Sequence, residues 1–147
     1  MKIMNKKGFT LVELLAVIVV LAIIMIIAVP SVMESMNSAR KNAFKIYAQK
    51  VLNTAQTKHQ ASVLTGTNTA TYCKSLTDLM GSSVGNYQGY VVVCNGTSDS
   101  TIYRLWLTDK NYSYTKKQYS ELTDPAAAST GITNTCPTGT NLTNACS

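Results

Sequence analysis

MKIMNKKGFTLVELLAVIVVLAIIMIIAVP, residues 1–30, decides how this chain is organised. Lys2, Lys6 and Lys7 form a short basic leader ending at Gly8, and Phe9-Thr10-Leu11-Val12-Glu13 follows. Positions 14–29 are then an unbroken apolar run closed by Pro30, so that 9–29 hold only Thr10 and Glu13 as polar side chains. At 1.5 Å per residue that stretch reaches about 30 Å as a helix, enough to cross a hydrocarbon core. The lysines keep the amino end on the cytoplasmic side and send everything after Val29 outside. An ordinary secretory signal is excluded, because the run offers no clean small-x-small cleavage site before it continues past Pro30.

Glu13 separates a plain membrane anchor from something else. A carboxylate near the middle of a membrane helix costs roughly 2.5–3.5 kcal/mol, less towards the end where Glu13 lies, and an anchor has no use for it. A use appears if the chain is cut after Gly8. Phe9 then carries a free α-amino group, and a neighbouring copy's Glu13 pairs with that cation inside an apolar bundle, neutralising two charges at once.

Gly8-Phe9-Thr10-Leu11-Val12-Glu13-Leu14-Leu15, with three lysines upstream and Pro30 closing the apolar run, resembles the amino terminus of type IV pilins and related pseudopilins. The resemblance covers roughly residues 1–60. It implies a prepilin peptidase that cuts between Gly8 and Phe9 and N-methylates Phe9. It further implies that Glu13 supports ordered subunit addition into a homopolymeric helical filament, and that Pro30 is the helix-kinking proline. Many members carry a glycine eight residues before that proline, where this chain has Ala22. Alanine favours helix by up to about 1 kcal/mol over glycine, which puts the family's local unwinding in question here.

After Pro30 the pattern becomes one-faced. Met36, Ala39, Ala43, Phe44, Tyr47, Val51 and Ala55 recur at spacings of three and four, with Arg40, Lys41, Lys45, Lys50 and Lys58 mostly elsewhere. Gly66 is the expected stop. A helix over 9–64 is roughly 80 Å long, more than a compact domain of this size can cover. His59 is read as an ordinary surface histidine in preference to a metal ligand.

The expected organisation is therefore a removed leader (1–8), a transmembrane and filament-core helix (9–30), its amphipathic continuation (31–64) and a head (65–147). In the head, Leu76, Leu79 and Met80 predict a helical turn or two. Stretches 88–94, 101–107 and around 112–116 read as strands from their β-branched and aromatic residues. Tyr103, Leu105 and Leu107 share one face of the second, with Ile102, Arg104 and Trp106 on the other. About three antiparallel strands over the long helix give an α+β fold, which the pilin resemblance also implies. Residues 120–147 read as irregular chain.

Cys73, Cys94, Cys136 and Cys146 lack the C-x-x-C spacing of a zinc or thioredoxin-like site. Their even number beyond a membrane segment predicts two disulfides in an oxidising compartment. Of three connectivities, Cys73–Cys94 with Cys136–Cys146 is preferred, the second closing a small loop that ties down the tail. In pilins such a disulfide-bounded terminal region lies on the filament surface, which the resemblance implies for residues 136–146.

The formal charge is +6, but without residues 1–8 it falls to +3, too mild to argue nucleic-acid binding. Lys116 and Lys117 beside Tyr112, Tyr114 and Tyr119 are the nearest thing to such a patch and read better as a solvated strand end. Asn95, Asn111 and Asn141 open N-x-Thr/Ser triplets that chance explains in a chain this rich in Asn and Thr. No Ser-His-Asp set, phosphate loop or metal cluster argues for an enzyme, cofactor or metal. The expectation is a structural pilus subunit, inserted in the cytoplasmic or inner membrane and then assembled outside the cell by an ATPase-driven machine. A DNA- or ligand-binding minor pilin and a secretion-system pseudopilin are the alternatives.

Overall fold

The computed structural model describes residues 8–66, 70–82, 84–95 and 101–147. The fold is α+β, and the chain divides into two compact units, Met1–Ala39 and Arg40–Ser147. Helix α1, Leu11–Leu64, contributes to both, and it is helical through Ala22 and with Pro30 inside it. A proline removes one backbone donor without ending the helix when neighbouring turns hold the register. Gly66 follows the end of α1 at φ 71°, a left-handed conformation that favours glycine.

In the first unit every described residue is exposed. The helix is long and apolar enough to cross a membrane, and none of its most apolar stretch is buried. Such a surface is not stable in water, so something other than this unit's own chain covers it.

The second unit adds β1 (Tyr72–Ser75), α2 (Leu76–Met80), β2 (Gln88–Asn95), β3 (Thr101–Thr108) and β4 (Tyr112–Lys117). A 3-10 turn at Tyr119–Glu121, β5 (Ala126–Ala127) and α3 (Thr140–Asn144) complete it. The sheet is antiparallel throughout, in the order β1-β2-β3-β4-β5. The three expected strands are present, but the sheet has five. Tyr-Cys-Lys-Ser of β1 lacks a run of β-branched residues, and the two alanines of β5 carry no strand signal of their own.

Alternation on β2 and β3 builds two apolar layers. Register pairs Val91 with Leu105 and Gly89 with Leu107 on the inner face, which packs on Phe44, Ala48, Val51, Leu52 and Ala55 of α1. The outer face carries Val92, Cys94, Ile102 and Trp106, against which Leu142, Ala145 and Cys146 pack. The helix stripe differs from expectation in detail. Ala43 and Met36 are exposed, whereas Ala48 and Leu52 are buried.

Two expectations are corrected here. His59 is not a surface residue: it is only 4% exposed, extending the buried series Val51, Ala55 by one further turn. Its Nδ1 lies 2.9 Å from the Tyr72 hydroxyl, and Tyr103 meets its ring edge-on. The disulfides are Cys73–Cys136 and Cys94–Cys146, not the preferred local pairs. Cys73 stands opposite Val92 in the ladder, two residues from Cys94 along the neighbouring strand. Such diagonal neighbours are about 7–8 Å apart, beyond a comfortable bridge, so each cysteine bonds to the terminal segment instead.

Lys116 and Lys117 close β4 and are half-buried. Pairing slips between Leu105↔Lys117 and Leu107↔Tyr114, leaving β4 one residue longer than its partner. Lys116 takes φ 55° in this bulge, and its Nζ donates to the carbonyl oxygen of Ser147 at 2.9 Å.

Candidate functional site: the amino-terminal segment

Gly8, Phe9 and Thr10 precede the helix and are exposed, Phe9 at 87%. Residues 1–7, and with them most of the expected leader, lie outside the described residues. A side chain built on Gly8 would meet nothing within 4 Å. The chain's own packing therefore gives no reason for glycine there.

Thr10 and Glu13 form a reciprocal cap at the start of α1. The Thr10 backbone N–H and hydroxyl both donate to Glu13 Oε2 at 3.0 Å, and the Glu13 N–H donates to Thr10 Oγ1 at 3.3 Å. This is the threonine–glutamate arrangement that satisfies two of the orphan N–H groups at a helix start. The role of Thr10 was missed in reading the chain, although Thr10-Leu11-Val12-Glu13 carries its signal, a threonine followed three residues later by glutamate just before an apolar run. The cap occupies one carboxylate oxygen and leaves Oε1 without a partner among the described residues. Glu13 thus keeps an acceptor for an incoming cation while its position is fixed by the helix start.

The remaining candidates are placed separately. Pro30 sits in the exposed part of α1, and the four cysteines lie in the second unit, where both bridges join the sheet to the terminal segment. Among the described residues no group of three or more His, Cys, Asp or Glu is arranged to hold a metal ion.

Comparison with known proteins bears on this segment alone. No curated protein and no solved structure matches the chain significantly. Residues 3–29 match the family model described as the prokaryotic N-terminal methylation motif. The amino-terminal segment of this chain is therefore a prepilin-type signal of the kind found in type IV pilins and pseudopilin-like subunits.

Proposed function

We propose that the chain is a structural subunit of a type IV pilus, with residues 1–8 a leader, 9–30 a membrane and then filament-core helix, 31–64 its amphipathic continuation and 65–147 the displayed head. A prepilin peptidase hydrolyses the Gly8–Phe9 bond, leaving a carboxylate on Gly8 and an ammonium on Phe9, which is then N-methylated and stays cationic. The head passes outside while 9–29 remain in the membrane. Assembly machinery then moves each subunit from lipid to a bundle of sister helices, where Glu13 receives the Phe9 amine of a neighbouring copy. Pro30 is the kink that fits the helix to that bundle. The head supplies surface chemistry and no catalysis.

The observation that carries this reading is an apolar helix stretch with none of its described residues buried, lying within the methylation motif and holding one carboxylate near its start. The solvent-indifferent Gly8 agrees with it, since its size is then set by a processing enzyme.

Mass spectrometry of the chain from its native host tests processing, with an N-methylated Phe9 terminus expected and a retained Met1–Gly8 leader refuting it. Glu13→Ala tests assembly: insertion and leader removal are retained and incorporation into filaments drops, whereas normal incorporation removes the charge-pairing account. Long surface filaments containing the chain separate a pilus subunit from a secretion-system pseudopilin. The cysteine-tied, threonine-rich tail favours the pilus.

A further inference from the structure

The ladder between β3 and β4 stops early. β2 pairs with β3 along its whole length, from Gln88↔Thr108 to Asn95↔Thr101, whereas the last pair of β3 with β4 is Leu105↔Lys117, beside the bulge at Lys116. Thr101–Arg104 therefore have a strand on one side and none on the other. In an antiparallel ladder successive residues turn their N–H and C=O groups alternately to the two neighbours. Asp109, just after β3, donates to the Tyr112 carbonyl across the β3–β4 turn. Asn95, opposite Thr101, turns its N–H the other way, to Thr71 Oγ1 at 3.3 Å. Both observations place the odd-numbered residues of β3 towards β4. Thr101 and Tyr103 thus aim two donors and two acceptors at the empty side, and none of the four has a partner among the described residues. Elsewhere the same sheet closes such ends with side chains, Asn134 on the Gly89 N–H and Thr71 on that of Asn95.

We propose that this edge binds a polypeptide in extended form as an added antiparallel strand, and that the strand carries a carboxylate beside Arg104. The proposal rests on the second unit alone and holds whether or not the chain forms filaments. Two open grooves run beside the edge and share Gln56, Thr101 and Tyr103. One, of about 320 Å³, separates Thr101–Tyr103 from Gln118–Ser120 over Leu52 of α1. The other, of about 600 Å³, lies between Tyr103 and the helix residues Gln60, Val63 and Leu64. Among the described residues of this unit, Ile46, Val63, Leu64 and Tyr119 are the large apolar side chains left exposed, and the last three border these grooves.

The unpaired ladder selects the occupant. An extended peptide offers donors and acceptors at the ladder's own spacing, so it satisfies all four backbone groups at once. Its side chains alternate between the two faces of the sheet. Those opposite Thr101 and Tyr103 fall on the inner face, over the grooves, and suit apolar residues. The one opposite Arg104 falls on the outer face, in the non-hydrogen-bonded type of pair, where side chains approach most closely. Arg104 is half-buried, its partner on β2 is Val92, and its Nε is covered by protein without a hydrogen-bond acceptor. It has no ion pair among the described residues. A glutamate opposite it supplies the acceptor and the charge that its own sheet does not.

Hydrogen exchange in the detergent-solubilised full chain tests the edge. The N–H groups of Thr101 and Tyr103 are expected to exchange at least about tenfold faster than those of Ile102 and Arg104. The binding probe is a capped hexapeptide alternating valine and glutamate. Saturable binding is expected, with exchange at 101 and 103 slowed at least about fivefold. The same peptide with lysine for glutamate, and one N-methylated at the valine amides that would face β3, are expected to bind at least about tenfold more weakly. Arg104→Gln is expected to abolish the preference for glutamate over lysine. Equal protection across 101–104 in the free chain, or protection that grows with protein concentration alone because a second copy takes the edge, overturns the proposal. So does a lack of saturable binding, equal binding of the three peptides, or a glutamate preference that survives in Arg104→Gln. The peptide comparison uses the unaltered chain, so it decides the matter even if that variant fails to fold.

Discussion

Cys94 in β2 is bonded to Cys146, 52 residues later, and so holds the terminal segment against the outer face of the sheet beside Val92 and Trp106. The companion bridge from Cys73 to Cys136 spans 63 residues. Loops of this length remove more freedom from the unfolded chain than local pairs do, about 4 kcal/mol each against about 3 for the local connectivity. Removing Cys94 and Cys146 together as serines is expected to destabilise the detergent-solubilised chain by about 2–4 kcal/mol in denaturant unfolding. Peptide mapping without reductant is expected to recover 73 joined to 136 and 94 joined to 146. Recovery of 73 joined to 94 would contradict the fold described here.

Gly89 in β2 leaves no room for a side chain against β3. A Cβ placed there would overlap the carbonyl oxygen of Trp106, which is backbone and cannot rotate away, and the Gly89 N–H is itself held by Asn134 Oδ1 at 2.8 Å. Gly89→Ala is expected to cost about 2–3 kcal/mol, measured as a lowered unfolding midpoint in denaturant. A midpoint within error of wild type would mean that the strands separate there without penalty.

Phe44 is 1% exposed and packs on Tyr87, Tyr112 and Tyr114. Phe44→Ala is expected to lose about 3–5 kcal/mol, while Ala43→Ser, on the exposed side of the same turn, stays within about 0.5 kcal/mol of wild type. Equal effects at 43 and 44 would place the helix in another register.

Thr10→Ala removes the hydroxyl that accepts the Glu13 N–H. The expected loss is about 1 kcal/mol at the start of α1, seen as faster amide exchange over 11–14 with no change in the head. Exchange unchanged at those amides would mean that the helix start is held from elsewhere.

Burial raises the phenol pKa of Tyr47, Tyr72, Tyr87, Tyr90, Tyr103 and Tyr114 above the ordinary value. The neutral phenol is the form the fold favours, and the unfolded chain releases these protons first. This contribution to stability is complete below about pH 10 and is lost as pH rises through the raised folded values. Unfolding midpoints are expected to fall as pH rises above about 10. A flat profile over that range would place these hydroxyls in water.

The membrane-length run, the stop near Gly66 and the strands in β2, β3 and β4 were legible because each rests on a local periodicity that tertiary structure does not override. Leu105 and Leu107 against Ile102 and Trp106 declare both faces of β3 in seven residues. The disulfide pairing was not legible, because it depends on where the ladder puts Cys73 relative to Cys94, and a register is not written in either strand alone. β1 and β5 were missed for a related reason, since each is a strand only because a neighbour's edge is there to pair with it. His59 has the spacing of a core position but a polar side chain, and its burial depends on Tyr72, thirteen residues on and in another element. At the candidate site, Glu13 stands out as a lone carboxylate in an apolar run, whereas the roles expected of Gly8 and Phe9 came from the resemblance to type IV pilins. The partners proposed for them are not legible, since both lie outside this chain.

Every buried residue among those described falls at Phe44 or later. The apolar stretch of α1 therefore contributes nothing to the buried core of the head. On the proposed function, a subunit drawn out of lipid need not loosen its head to leave, because no buried residue of the head lies before Phe44. The two are also free to diverge at different speeds. In the proposed filament the shaft would be constrained by every sister helix it touched, and the head by its own interior alone.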